Sequence, residues 1–218
     1  EYRRQRQMCI RDSLLAGPAT HDELRHLSAQ APRLLAEWAQ KRWIERVDKK
    51  AEALAVASAP TLNAQQCDAV KQVTRSLGQS QVWVLQGVTG SGKTEVYLRI
   101  IETVLQRAEQ VLVLVPEINL TPQLIARFAQ RFPNTRLAVL HSQRSDKERF
   151  VAWLDAWQGR AGIVVGTRLS VFVPCSKLGL IIVDEEHDGS LKQHEGLRYH
   201  ARDLAVWRAR QAGLPVLL

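Results

Sequence analysis

The chain has 218 residues, 45% of them hydrophobic, which is enough for one ordinary domain with a buried core and a second, small one. The formal net charge of +8 suits a polyanionic partner, although solvated surface lysines and arginines would give the same balance. Three widely separated cysteines without a C-x-x-C pair, no apolar run of membrane length and no signal peptide argue against a disulfide framework, a zinc site and a membrane protein, so we expect a cytoplasmic location.

Residues 1–53 are predicted to form a small, mostly helical domain. Gly17 and Pro18 end a first helix, because this pair cannot continue one. Thr20 begins a second helix and Pro32 a third, and a short apolar strand follows at 43–47. Three helices and a strand in this order are typical of a winged-helix domain.

In a winged-helix domain the third helix can lie in the DNA major groove. The candidate DNA contacts here are Arg33, Lys41, Arg42 and Arg46. The same side chains also suit a solvated face of a domain that packs against protein, so both alternatives stay open at this stage. The alanine-rich residues 54–60 are predicted to be a linker.

From residue 61 to residue 218 the pattern alternates between helix and strand. The predicted strands are 82–86, 111–115, 136–140, 162–165, 179–183 and 214–218. The predicted helices are 63–77, 94–107, 122–131, 146–157 and 199–211. Continuous β-branched strands that alternate with helices indicate an α/β domain whose parallel sheet is covered on both faces. Loops that contact a ligand should then lie at the carboxyl ends of the strands.

A complete G-x-x-x-x-G-K-T phosphate loop separates the first strand of this domain from the next helix. The nucleotide-binding candidates are its eight residues, Gly87, Val88, Thr89, Gly90, Ser91, Gly92, Lys93 and Thr94. Glycines let backbone N–H groups point inward, and the helix N-terminus favours negative charge. Lys93 is predicted to reach the outer phosphates of ATP, and the Thr94 hydroxyl is predicted to hold Mg²⁺.

Four polar residues, Asp184, Glu185, Glu186 and His187, follow directly after the buried run 179–183. Acidic side chains gain nothing at such a place unless a cation or a proton transfer requires them. We expect Asp184 to bind Mg²⁺ and Glu185 to orient or deprotonate the attacking water, so that Lys93, Asp184 and Glu185 form the catalytic set. Glu186 and His187 are predicted to link the nucleotide state to DNA binding.

The segment 184–187 resembles the second nucleotide motif of superfamily 2 helicases. Further matching segments are 61–66, 115–121, 141–142, 166–172 and 199–205. Taken together they resemble the replication-restart helicases of that superfamily, closely over residues 61–218 and loosely before them. The resemblance implies a P-loop (RecA-like) first helicase lobe preceded by a winged helix, in which Gln66 reads the adenine.

The resemblance also implies an ATP-dependent translocase that moves 3′ to 5′ on single-stranded DNA, recognises stalled forks and helps to assemble the primosome. Its implied partners are forked DNA, single-strand binding protein, PriB and DnaT in the bacterial cytoplasm. Zinc is implied only for a cysteine-rich module outside this sequence. The chain lacks an initiator methionine and stops in an apolar strand, so we expect a fragment. Without a second lobe and its arginine, the fragment should be nearly inactive.

The resemblance places DNA-binding motifs at the ends of two strands, where Thr121, Thr167 and Arg168 offer donors to a phosphate backbone. Arg168 has an alternative, an ion pair with an acid across the lobe. Asn119 and Leu169 depart from the commonest forms of these motifs.

Residues 188–199 correspond to the family's aromatic-rich loop, which senses DNA and couples it to hydrolysis. Leu191 and Leu197 stand where aromatic side chains are expected, which would remove base-stacking surface. Lys192, Arg198 and Tyr199 remain candidates for DNA contact.

Two other classes of protein would use the same phosphate loop. A small-molecule kinase needs an acceptor pocket and a lid, and no arginine-rich lid segment is evident. A winged-helix regulator with an ATP-controlled oligomerisation domain would share Lys93 and Asp184 but has no need for the segment 166–172. Both alternatives are distinguished from a helicase by whether DNA stimulates ATP hydrolysis.

Overall fold

The computed structural model describes residues 35, 37–38, 60–88 and 90–218. The chain divides into two units, Glu1–Ala53 and Leu54–Leu218. The second unit carries the fold presented below. Apart from three helical positions, Leu35, Glu37 and Trp38, the predicted winged helix lies outside the described residues, as do its basic candidates, all of the linker but Pro60, and Thr89 of the phosphate loop.

The described part of the second unit is built from alternating helices and strands. Its α-helices are α1 (Ala64–Arg75), α2 (Lys93–Gln106), α3 (Pro122–Arg131), α4 (Asp146–Trp157) and α5 (Ala201–Ala212). Its strands are β1 (Val82–Trp83), β2 (Gln110–Leu114), β3 (Leu137–Leu140), β4 (Ile163–Gly166), β5 (Leu178–Val183), β6 (Lys192–Gln193), β7 (Tyr199–His200) and β8 (Val216–Leu217). Three short 3₁₀ helices, Glu117–Asn119, Arg168–Phe172 and Gly189–Leu191, follow β2, β4 and β5.

Six strands form one sheet in the order β1-β8-β5-β2-β4-β3, and all of its pairings are parallel. The strand β8 is inserted between β1 and β5, pairing Val216 with Val82 on one side and with Ile181 on the other. Because all strands run in one direction, their carboxyl ends meet at one edge of the sheet. The predicted α/β lobe with a parallel sheet is confirmed. The two-stranded antiparallel ribbon of β6 and β7 is an addition that the sequence pattern did not predict.

Alternate residues of the central strands face opposite sides of the sheet, which gives the lobe two cores. Along β2, Val111 and Val113 pack into one core together with α2, whereas Leu112 and Leu114 pack into the other. Helices α1, α2 and α3 cover the first face, and α4 and α5 cover the second. Burial on both faces explains why these strands are continuously apolar instead of alternating.

Helix starts follow capping chemistry that is visible in the sequence. Asn63 and Gln66 form a capping box at α1, and Ser145 and Glu148 form another at α4. Thr121 caps α3 directly before its proline. None of the helices that the structure describes has the length and apolar character of a membrane span.

Candidate nucleotide and DNA site

The phosphate loop leads from β1 into the first turn of α2. Gly90 and Gly92 have φ angles of 83° and 81°, a left-handed conformation that glycine adopts without steric cost. A Cβ atom on Gly87 would lie 2.5 Å from the Ser91 hydroxyl, so a larger residue there would displace that side chain. The Lys93 ammonium donates to the Gly87 carbonyl and thus folds back over the loop. The described part of the loop therefore forms a compact turn at a helix N-terminus, which favours a bound phosphate.

Gln66 joins helix α1 to the phosphate loop. Its side-chain oxygen accepts from the Asn63 amide at 2.9 Å, and its side-chain NH₂ donates to the Ser91 carbonyl at 2.9 Å. A Cβ atom on Gly92 would lie 2.6 Å from that NH₂ group, so the contact requires glycine at this position. Two of the amide's hydrogen-bonding positions are thus used within the chain. Neither of these hydrogen bonds uses the second N–H of the side-chain amide.

The acidic residues lie where β5 ends. The Asp184 amide donates to the Leu114 carbonyl at 2.9 Å, which fixes the backbone of Asp184 beside the central strand. Burial and the neighbouring Glu185 carboxylate raise the pKa of Asp184, although the Lys93 ammonium partly offsets them. Glu185 itself has a φ angle of 47°, a left-handed conformation that is strained for a residue other than glycine. A desolvated carboxylate next to a strained turn is an arrangement typical of functional sites.

Tyr97 is a residue that the sequence patterns did not single out. It lies one turn after Thr94 on α2 and is only 3% exposed. Burial and the Asp184 carboxylate raise its pKa to about 12, and its hydroxyl is hydrogen-bonded to the Thr94 side chain. Tyr97 therefore stays neutral and helps to fix the Thr94 hydroxyl. A tyrosine on the apolar face of a helix needs a buried partner for its hydroxyl. That requirement could have identified Tyr97 from the sequence.

Thr94 and Asp184 fit a magnesium ion. Both present hard oxygen ligands, and Asp184 is a partly buried carboxylate whose charge calls for a cation. Among the residues that the structure describes, no group of three or more His, Cys, Asp or Glu side chains is arranged to hold a metal. That is compatible with Mg²⁺, which is usually held by one or two protein carboxylates together with substrate phosphates and water.

The two residues after Asp184 and Glu185 contact different neighbours. Glu186 forms an ion pair with Arg202 of α5, with a distance of 2.8 Å between Nη1 and the carboxylate. His187 is exposed, and its Nε2 lies 3.6 Å from a Glu185 carboxylate oxygen. Glu186 thus ties the acidic segment to the helix that follows it, whereas His187 adjoins Glu185. The partner Arg202 was not predicted.

A cavity of about 210 Å³ lies beside the carboxyl ends of β3 and β4. Its polar lining comes from Glu117, His141, Ser142, Arg149, Thr167, Arg168, Ser170 and Ser190. Ser142 donates to Glu117 across this cavity and so joins two strand-end segments. Thr167 and Arg168, both predicted DNA contacts, are brought together here. Thr121 is not part of this lining, and its hydroxyl caps α3 by accepting from the Leu124 amide at 3.3 Å.

Arg168 does not stand free at the cavity. Its Nη1 donates to the backbone carbonyls of Ser190 and Lys192, at 3.1 Å each. Its Nε is buried and has no hydrogen-bond partner within the described part of the chain. The guanidinium is thus committed to the loop after β5.

The loop residues separate into buried and exposed groups. Leu191 is only 1% exposed and packs into the core beneath β5 and α5, whereas Leu197 is 77% exposed. The expectation that Leu191 replaces a base-stacking side chain is wrong, because this position faces the interior. Lys192 and Arg198 are exposed. Tyr199 packs edge to face against Phe172 with ring centroids 5.0 Å apart.

A parallel sheet with a phosphate loop at one strand end and paired acids at another defines a nucleotide-binding lobe of the RecA-like class. The model of the DEAD/DEAH box helicase family matches residues 63–214. The chain belongs to this family.

Three curated relatives share the name replication restart protein PriA. The chain is 52% identical to the protein of Haemophilus influenzae over 158 residues, which are 72% of this chain and 21% of the relative. It is 47% identical to that of Bacillus subtilis over 140 residues, 64% of this chain and 17% of the relative. It is 42% identical to that of Synechocystis over 213 residues, 97% of this chain and 25% of the relative. The chain thus spans a quarter or less of the length of these relatives.

Two solved structures share the fold. RecG bound to a three-way DNA junction matches with a TM-score of 0.51 and 20% identity, over 84% of this chain and 27% of that one. The DUF1998 helicase MrfA matches with a TM-score of 0.53 and 18% identity, over 80% of this chain and 29% of that one. These structures support the fold assignment alone.

Proposed function

We propose that this chain is the ATP-binding lobe of a DNA helicase that moves 3′ to 5′ on single-stranded DNA and restarts stalled replication forks. The observation that carries the proposal is the convergence of the phosphate loop, the acidic end of β5 and the Arg168 cavity at the carboxyl edge of one sheet. The similarity to replication restart proteins supports the same function. The complete protein is then a DNA-dependent ATPase of the bacterial cytoplasm.

In this proposal the phosphate loop binds the nucleotide triphosphate, and Gln66 contacts the adenine with its remaining N–H. Lys93 leaves the Gly87 carbonyl to reach the outer phosphates. Glu185 orients or deprotonates the attacking water, and its strained backbone aims the carboxylate. In this proposal the Asp184 carboxylate binds the cation, and the neighbouring Glu185 carboxylate handles the proton of the attacking water.

Thr94 and Asp184 would hold Mg²⁺, which, when bound, supplies charge neutralisation on the phosphates. Tyr97, which is hydrogen-bonded to the Thr94 side chain, would help to hold that hydroxyl in place. No other metal is proposed for this lobe. Zinc belongs, by family resemblance, to a part of the complete protein outside this sequence.

The proposed DNA contacts lie on the same edge of the sheet. Thr167 lines the cavity, and the other candidates are Thr121, Lys192, Arg198 and Tyr199. Single-stranded and forked DNA are the proposed nucleic-acid partners. Single-strand binding protein, PriB and DnaT are the proposed protein partners. The segment 1–53 is proposed to be a winged helix that contributes to DNA or protein binding.

Coupling between nucleotide and DNA is proposed to pass through the residues that follow the catalytic acids. Glu186 pairs with Arg202 at the start of α5, so a shift at the acids is transmitted to that helix. His187 lies close enough to Glu185 to respond to its state. Both residues are proposed to act through these neighbours.

The decisive experiment measures ATP hydrolysis by the full-length protein with and without a forked DNA that carries a single-stranded gap. Lys93→Ala and Glu185→Gln are the site variants, and Arg75→Ala, an exposed arginine at the end of α1, is the control. We expect strong DNA stimulation in the wild type and the control, lost in both site variants. Hydrolysis that is indifferent to DNA but still lost in both variants would contradict the helicase proposal and leave only an ATPase site.

A further inference from the structure

The loop after β5 has an outgoing limb, which contains Ser190 and Lys192, and a returning limb, which contains Tyr199. The 3₁₀ helix Arg168–Phe172 contacts both limbs. At its first residue, Arg168 donates to the Ser190 and Lys192 carbonyls on the outgoing limb. At its last residue, the Phe172 ring meets Tyr199 on the returning limb. This 3₁₀ helix at the end of β4 therefore contacts both sides of a loop that begins at Asp188, four residues after Asp184 in the chain.

This 3₁₀ helix is itself firmly seated. The Ser170 hydroxyl lies 1.9 Å from where a Cβ on Gly166 would stand, so the turn closes tightly onto the end of β4. Arg208 of α5 donates to the Val171 carbonyl at 2.7 Å. The element is thus connected to β4, to α5 and to the loop.

The outgoing limb is equally well fixed at its other contacts. The Asp188 carboxylate accepts from the Ser190 amide at 2.8 Å, and Leu191 is buried in the core. Asp188 is also hydrogen-bonded to the Glu185 carbonyl through its amide, at 2.8 Å. A continuous hydrogen-bonded path therefore runs from Arg168 through Ser190 and Asp188 to Glu185.

The surroundings of Arg168 leave little of it for a DNA phosphate. A bidentate phosphate contact uses two N–H groups of the guanidinium fork. Here Nη1 serves two carbonyls, and Nε is buried. A bidentate phosphate contact through the fork of Arg168 would have to compete with the carbonyls that Nη1 holds or reach the buried Nε.

We infer that Arg168 is a positioning residue that couples the end of β4 to Glu185 through the loop, and that it is not a ligand of the DNA phosphates. The inference rests on the proposed function, because it assigns a role within DNA-stimulated hydrolysis. DNA in the cavity beside Thr167 would shift the 3₁₀ helix. Arg168 then carries that shift to Ser190, and the path through Asp188 delivers it to the catalytic turn.

The test compares Arg168→Ala and Arg168→Gln with wild type and with Arg75→Ala in the full-length protein. Glutamine loses the charge but keeps N–H donors that can reach a carbonyl.

Two quantities are measured: the ATPase rate at saturating oligo-dT, and the affinity for fluorescent oligo-dT at several salt concentrations. For Arg168→Ala we expect the saturated rate to fall about tenfold, within the usual range of coupling between sites, while the salt dependence of DNA binding stays that of wild type. Arg168→Gln should retain more of the stimulated rate than Arg168→Ala.

A phosphate ligand would behave differently. Loss of one phosphate contact lowers the slope of log affinity against log salt by about 0.7 for single-stranded DNA. If both variants lower that slope and keep the wild-type rate at saturating DNA, Arg168 is a DNA ligand and the inference is overturned. It is overturned also if both variants match Arg75→Ala in rate and affinity. Absence of DNA stimulation in wild type would remove the proposed function itself, a result distinct from either of these.

Discussion

At Asp184, burial and the Glu185 carboxylate both favour the protonated acid and raise its pKa. The folded chain therefore holds this proton more tightly than the unfolded chain, in which an aspartate has a pKa of about 4. The stabilising contribution is fully present below the unfolded pKa and is lost as pH rises through the folded pKa. At neutral pH an ionised Asp184 thus lowers the free energy of unfolding. This loss is the expected result of burying a carboxylate for the proposed magnesium site.

We predict that Asp184→Asn raises the melting temperature at neutral pH by a few degrees while abolishing ATP hydrolysis. The gain should shrink as pH falls towards the unfolded pKa. Asp188→Asn is the matched control, because a hydrogen bond from Ser190 lowers the pKa of Asp188 and the trend with pH should reverse. Thermal melts of the nucleotide-free protein at several pH values provide the measurement. A loss of stability in Asp184→Asn at neutral pH would contradict this account.

Tyr97 offers a test of the ligand set at the other side of the site. Tyr97→Phe removes the hydroxyl bonded to Thr94 and keeps the packing of the ring. Since a hydrogen bond contributes about 1 kcal/mol net, we expect ATP affinity in the presence of Mg²⁺ to fall roughly fivefold. Titration calorimetry with a non-hydrolysable ATP analogue, with and without Mg²⁺, measures the change.

The control for Tyr97→Phe is Tyr199→Phe. The Tyr199 hydroxyl is buried without a hydrogen-bond partner among the described residues, and Tyr199 packs on Phe172. Its removal should leave the Mg²⁺ dependence of nucleotide binding at the wild-type value. An equal weakening in both variants would show that the effect is not specific to Thr94.

At the scale of the element, the loop after β5 contains two leucines in opposite surroundings. Leu191→Ala deletes a fully buried side chain and should cost about 2–5 kcal/mol of unfolding free energy. Leu197→Ala, at an exposed position of the same loop, should change it by less than about 0.5 kcal/mol. Urea unfolding of both variants checks the contrast. Similar losses at the two positions would mean that Leu191 is not a core anchor.

The helices and central strands were predictable because their periodicity and caps agree. The bounds of α3 and α4 match the predicted ranges 122–131 and 146–157, where Thr121 and Ser145 mark the start. The other helices and the four central strands differ from their predicted ranges by at most two residues at either end. Long runs with a strong period leave little freedom in such assignments.

The short elements were not predictable in the same way. The strands β6 and β7 have two residues each, too few to show any alternation. They pair in a loop whose Leu191 is buried in the core and whose Tyr199 packs on Phe172. The prediction for β1 was too long, since only Val82 and Trp83 are in strand conformation. Tertiary contacts decide such segments, and a local pattern does not contain them.

The candidate site was predictable wherever a motif carries its own chemistry. The phosphate loop and the acids at the end of β5 follow from residue types and spacing. The spacing did not predict which side chains of one segment contact another segment. Gln66 contacts Ser91, Arg168 contacts the loop, and Tyr97 contacts Thr94. Each is a contact made only after folding.

At the scale of the whole molecule, β1 lies at the edge of the sheet, and within the described part of the chain it is attached through β8 alone. The Val216 amide donates to the Gln81 carbonyl at 2.9 Å, just before β1 leads into the phosphate loop. Val216→Pro removes this donor, so we expect a lower melting temperature and a loss of ATP binding of at least about tenfold.

Val216→Ala is the matched control for Val216→Pro. It creates a cavity at a fully buried position but keeps the backbone hydrogen bond to Gln81. It should therefore lower the melting temperature while retaining most of the ATP affinity. Nucleotide binding measured by fluorescence anisotropy at a temperature where both variants are folded separates the two effects. Equal losses of affinity would contradict a special role for the strand pairing.

The insertion of β8 between β1 and β5 also has a consequence for biosynthesis. Ribosomes release the chain from its N-terminal end, so the phosphate loop and the acids leave the exit tunnel before the strand that joins their parts of the sheet. A nascent chain that pauses before residue 214 contains every motif residue of this lobe but lacks the strand that joins β1 to the rest of the sheet. We therefore expect nucleotide binding to begin only when Val216 and Leu217 have entered the sheet and attached β1 to it.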